Sequence, residues 1–198
     1  MRVCAACLLA AALFVACGTS KAQGVPPENA AHPTPATQGE AKAPQPVLSP
    51  PATADVRLDG KAVVVNYGSP AMRGRKIMGG LVPYGQVWRT GANAATSFTT
   101  EADLMIGTLR VPAGQYTLYT LPAAPGKPWM LIVNKQTGQW GTVYKQDQDL
   151  GRTAMHARTL PVPQESMSIT FENTTMHATE LHVKWELTDE WVEMKTAR

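Results

Sequence analysis

Beyond Cys17 the chain has no cysteine, since Cys4, Cys7 and Cys17 all fall within the first 17 of its 198 residues. The body therefore has no disulfide, no thiolate metal site and no cysteine nucleophile. Acidic charge is missing locally. From Gly60 to Thr100 there is no Asp or Glu, while Lys61, Arg73, Arg75, Lys76 and Arg89 are present. A formal net charge of +3, with no basic run longer than Arg73-Gly-Arg-Lys76, is too small to argue for nucleic acid. No glycine-rich phosphate loop precedes a helix, and Ser69 before Pro70 sits in no nucleophile-elbow pattern. His156, His177 and His182 are not at ligand spacing along one strand, so neither a metal nor a cofactor is expected. His156 and His182 could still face each other across strands.

What is present reads as β structure. Helical periodicity is not sustained over three turns anywhere after the first residues, while alternation and turn dipeptides recur. Asp59-Gly60 stands between two β-prone runs and signals a hairpin, with Val63, Val65 and Tyr67 on one face. Further strands are expected at 96–100, 103–111, 115–121, 129–134, 153–160, 166–171, 179–187 and 191–195. The last, around Trp191 to Met194, reads as an edge strand with a charged face. Many short strands at this spacing predict an all-β fold: an antiparallel, jelly-roll-like β-sandwich over residues 55–198. A long irregular connection at about 68–95 interrupts it. Such a connection inside a compact domain is functional or packs as a substructure of its own.

The first residues read as an address. One positive charge, Arg2, precedes a short apolar run ending Leu13-Phe-Val-Ala-Cys17, which matches a secretory signal too short to span a bilayer as a mature helix. A small residue directly before a cysteine resembles the bacterial lipoprotein signal, with residues 1–17 ending at a lipidated Cys17. The alternative is free secretion with cleavage after Ala22. Residues 18–54 hold eight of the chain's 16 prolines among Ala, Thr, Gln and Ser, a composition that predicts a disordered tether. The expected location is the cell envelope, lipid-anchored at the outer membrane or periplasmic face, or soluble in the periplasm if Cys17 is not lipidated.

The stretch Gly79 to Phe98 brings glycines and a proline together with Tyr84, Trp88, Arg89 and Asn93. Arginine offers a planar fork for carboxylate or phosphate, and the aromatics and the amide offer stacking and directional hydrogen bonds. Arg75, Tyr84, Trp88, Arg89 and Asn93 are therefore the candidate ligand-binding set, with Trp140 from the loop 137–141 at its rim. An equally physical reading makes the stretch a plug. Arg89 would then satisfy backbone carbonyls, Trp88 would be core, and Gly91 would allow close backbone packing.

The order of "GRKIMGGLVPYGQVWRTGANAAT", "VPAGQYTLYTLP", "LIVNKQTGQWGT" and "LPVPQESMSITFE" resembles the bacterial family called domain of unknown function 2911. The resemblance covers about Val56 to Glu193. It implies exported or lipid-anchored proteins with a mainly β domain and no established activity. That family commonly has an acid directly after the asparagine of the "RTGAN" motif, where this chain has Ala94, so a catalytic carboxylate is not expected there. The leading expectation is a non-catalytic module for a small polar or anionic ligand, or for an envelope protein. Two others stand beside it: a cell-wall or carbohydrate-directed hydrolase, and a structural envelope component.

Overall fold

A computed structural model describes residues 48–197, so the address segment, Cys17 and most of the tether lie outside the described residues. Ten strands make two antiparallel sheets, and the described residues contain no α-helix. The first sheet has the order β1 (Pro51–Leu58), β2 (Lys61–Gly68), β3 (Thr96–Thr100), β6 (Gly114–Leu121), β7 (Met130–Asn134), β8 (Asp149–Ala154). The second has the order β5 (Leu109–Val111), β4 (Leu104–Ile106), β10 (Ala178–Thr196), β9 (His156–Glu172). Neither sheet closes on itself. The two form the expected sandwich.

Period-two alternation supplies the core. Val63 and Val65 of β2, Phe98 of β3, Leu118 of β6 and Leu131 and Val133 of β7 point inward from the first sheet. They meet Leu104, Ile106, Met167, Ile169, Leu181, Val183 and Trp185 from the second. Each such side chain contributes about 1.5–3 kcal/mol when taken out of water, so the two apolar faces hold the layers together. One polar tie crosses the core, where the Tyr67 hydroxyl accepts the Ile169 N–H at 3.0 Å.

Several boundaries differ from the sequence expectation. β1 starts at Pro51, inside the stretch whose composition reads as tether, because Pro51 to Ala54 pair with Gly68 to Val65 and Thr53 Oγ1 donates to Asn66 Oδ1 at 2.8 Å. β1 is an edge strand, where proline is tolerated. The run 103–111 folds into the tight β4–β5 hairpin, turning at Gly107 with φ 54°. The runs 153–160 and 166–171 do not form two separate strands. Thr153 and Ala154 end β8, while His156 to Glu172 form one bulged strand. Most consequentially, 179–187 and 191–195 are one strand, β10, and it is central, not an edge. At Glu186, with φ 55°, β10 kinks and its alternation changes phase. Leu181, Val183 and Trp185 are buried before the kink; Glu190, Val192 and Met194 are buried after it.

Candidate functional site

The irregular connection between β2 and β3 closes the sandwich along a path set by hydrogen bonds. It first pairs with β9, where Met72 N–H donates to the Glu165 carbonyl and Met167 N–H to the Pro70 carbonyl. It then runs to β6. β3 pairs with β6 only as far as Leu118, and Trp88 takes up the vacated position by exchanging both backbone hydrogen bonds with Thr120, at 2.8 and 2.9 Å. Without that pairing, the Thr120 amide and carbonyl would be buried and unmet. The Trp88 ring stacks on Trp185 (6.0 Å between centroids, 18°) and meets Trp129 edge-on at 6.3 Å. Trp88 therefore packs into the core.

Past Trp88 the chain returns to β2. The Ala92 N–H donates to the Gly68 carbonyl at 3.1 Å, and a Cβ on Gly68 would lie 2.4 Å from the Ala92 carbonyl oxygen. Only glycine permits that approach. Asn93, at φ 64°, then pairs with the loop after β7, its carbonyl accepting the Gly141 N–H at 3.1 Å. The Ala95 N–H donates to the Gln139 carbonyl at 3.2 Å.

These two loops and the outer face of the first sheet enclose a pocket of about 440 Å³, lined by Asn66, Ser97, Thr117, Asn93, Ala94 and Gln139 among others. Asn66, Ser97 and Thr117 are cross-strand neighbours on β2, β3 and β6 and form one polar row. Gln139 closes the row. Thr117 Oγ1 donates to the Gln136 carbonyl at 2.7 Å, and the Tyr119 hydroxyl donates to the Val143 carbonyl at 3.0 Å. Having used their single protons, both hydroxyls can only accept, so the Gln139 amide nitrogen faces them at 3.1 Å each. Its carbonyl oxygen, Oε1, is then left buried with no hydrogen-bond partner. A buried acceptor in that condition costs free energy until a donor reaches it.

The six residues singled out from sequence do not converge. Asn93 lines this pocket, with its amide 3.4 Å from the Ser49 carbonyl. Trp140 pairs with Ala94 and is 57% exposed beside it. Arg89 packs its stem on Gly141, where a Cβ would lie 2.1 Å from Arg89 Cδ. Its Nε is buried without a partner, and burial alone pushes its pKa down from the ordinary value. Arg75 is exposed and donates to the Ala71 and Met72 carbonyls of its own turn, at 2.7 and 3.0 Å. Tyr84 packs against Gly79 and lines a different pocket, with Met78 and Trp129. Asn66, Ser97, Thr117 and Gln139 stand outside the six, because only the strand register joins the first three into a row and only the hydroxyls of Thr117 and Tyr119 bring Gln139 to it.

A second polar constellation lies on the outer face of the second sheet. His182 Nδ1 is 2.7 Å from Asp189 Oδ1, and its Nε2 is 3.1 Å from Glu180 Oε2. Arg158 clasps Asp189 Oδ2 through Nε at 3.0 Å and Nη2 at 2.6 Å, and Lys184 pairs with Glu172. His156 and His182 both stack on Trp191, at 4.4 and 5.9 Å between centroids, and neither is the other's cross-strand partner. Every charged group named here has an opposite charge or a histidine nitrogen against it. The arrangement is a completed ionic network, which ties the two halves of the kinked β10 together.

A family model described as "Protein of unknown function (DUF2911)" matches residues 49–194. No curated protein and no solved structure matches the chain.

Proposed function

We propose, for a chain that belongs to the DUF2911 family, a non-catalytic binding module of the cell envelope, held at the membrane through a lipidated Cys17. It takes a small, uncharged polar ligand at the pocket beside Asn93. The observation that carries this reading is Gln139 Oε1, an acceptor buried without a partner in a side chain that lines the pocket. A ligand hydroxyl or amide N–H completes it, while the Asn66–Ser97–Thr117 row offers further polar groups and Ala92, Ala94 and Ala95 offer apolar wall. No lining residue is charged, which favours a neutral ligand over an anionic one. Arg89 stands beside the wall rather than on it.

Ligand-observed NMR with a panel of neutral sugars and small amides tests the pocket. Binding by the wild type that is lost in Ser97→Trp, which fills the space, and weakened in Asn93→Ala supports the reading. Silence across the panel, or hits untouched by Ser97→Trp, contradicts it. Anchoring is tested separately: labelled palmitate is expected to enter the wild-type chain in its host and not Cys17→Ser.

The hydrolase reading draws on carboxyls that share a pocket. Asp59, Glu101 and Asp103 line one, but they are engaged by His177, the Ala62 N–H and the Ala113 N–H. Glu186 and Glu190 line another. Glu186, however, uses both oxygens on backbone amides, accepting from Ile77 at 3.3 Å and Met78 at 3.1 Å. Two-carboxylate hydrolysis needs both groups free to act on the substrate. With one of them committed to the backbone, binding is the better-supported reading.

A further inference from the structure

The kink in β10 has a chemical result on the sandwich interior. Alternation from Leu181, Val183 and Trp185 would place Asp189 inward and Glu190 outward. The phase change at Glu186 reverses them: Asp189 joins the outer network, and Glu190 enters the inner face between Trp185 and Val192. Kinks and bulges that re-aim one side chain recur beside binding sites. Glu190 is 4% exposed, and its Oε2 has no hydrogen-bond partner. The backbone N–H of Trp129 also stands against the carboxyl.

Glu190 lines a pocket of about 550 Å³, together with Tyr84, Met78, Trp129, Leu187 and Thr188. That volume lies within the range of small-molecule sites. Among the described residues, no cation meets Oε2. Arg158, on β9, lines the same pocket but is bound to Asp189 through two nitrogens. Lys127, on the β6–β7 loop, is exposed at the rim and makes no ion pair among the described residues. Glu186 is held on backbone amides, and Asp189 adds negative charge next door. Tyr84 is the only titratable group that the β2–β3 connection brings to this pocket. The site therefore combines an unmatched acid with two aromatic walls, Tyr84 and Trp129, whose faces attract cations.

We infer that this pocket is a second ligand site, distinct from the one beside Asn93, and that it takes a small organic cation bearing N–H donors, such as a primary ammonium group. Glu190 supplies the counter-charge and accepts the donor, and Tyr84 and Trp129 flank the carbon chain. Until a cation arrives, burial and the Asp189 charge push the Glu190 pKa up to about 8. Binding must then release a proton from Glu190. Affinity consequently rises with pH, by roughly tenfold per unit below the Glu190 titration.

The test is isothermal titration of the full-length chain in detergent with butylammonium, against butanol and butyrate as neutral and anionic counterparts, at pH 6, 7 and 8. The expected result is selective butylammonium binding that tightens roughly tenfold from pH 6 to pH 7 and further towards pH 8. It is lost at least tenfold in Glu190→Gln, an isosteric change whose folding is checked by thermal melting, and kept in Ser97→Trp. That last arm separates this site from the pocket beside Asn93, since either can fail alone. Equal binding of butanol, affinity that falls as pH rises, retention in Glu190→Gln, or no butylammonium binding at all overturns the inference.

Discussion

Asp189 and Glu190 are adjacent carboxylates on one strand, both buried, at 0% and 4% exposure. Asp189 faces the outer side of the second sheet and meets His182 and Arg158. Glu190 faces the inner side and keeps one oxygen unmet. Burying a charge is expensive unless the fold supplies its partner. On one side of β10 the fold supplies it; on the other it does not. A structural role accounts for the first carboxylate completely and leaves the second unexplained, and that is the sense in which Glu190 points to a ligand.

Breaking the completed side produces the largest effect. Asp189→Ala leaves Arg158 and His182 without their shared acceptor, and a loss of about 3 kcal/mol is expected from urea unfolding. The lower end of the usual range applies because the Arg158 side chain is 56% exposed and water can reach it. A loss under about 1 kcal/mol would show that the network is ornamental.

The incomplete side behaves oppositely. With its folded pKa raised to about 8 from the ordinary glutamate value of 4.5, Glu190 stays protonated in the fold while the unfolded chain has ionised. Its contribution is therefore fully present below the unfolded value and is lost as pH rises towards the folded one. Stability should decline over that window by at most about 1.4 kcal/mol per pH unit. Glu190→Gln should flatten the decline, and unfolding curves at several pH values measure it. The two sides are also coupled, because the Asp189 charge helps raise the Glu190 pKa. Asp189→Asn should therefore move the Glu190 titration downward, which a proton-binding measurement would register. Arg75→Ala should be the smallest change. Its exposed guanidinium only braces its own turn, so a shift within about 0.5 kcal/mol is expected from thermal melting.

Alternation alone made much of this fold legible. The bounds of β3 are those expected, and β6 and β7 fall within a residue of theirs; β2 alternates through Val63, Val65 and Tyr67, while β7 is a continuous apolar run ended by Asn134. The continuity of β10 was not legible. Thr188-Asp189-Glu190 reads locally as a polar break between strands, whereas the backbone continues through a kink stabilised by Glu186 on two amides nearly 110 residues away. A phase change of that kind depends on a distant partner, so no window of local sequence contains it. The candidate site divides in the same way. Residue types in the Gly79–Phe98 stretch drew attention to Asn93, which lines a pocket, but where Trp88 and Arg75 point depends on β6 and on a turn. Gln139 is an ordinary loop residue until the hydroxyls of Thr117 and Tyr119 determine which way its amide faces.

The most direct measurement is the carboxyl carbon shift of Glu190, followed by NMR across the pH range in protein labelled at glutamate. The account predicts a midpoint of about 8, falling when butylammonium is added. A midpoint in the ordinary glutamate range, about 4 to 5, unmoved by butylammonium, would contradict it.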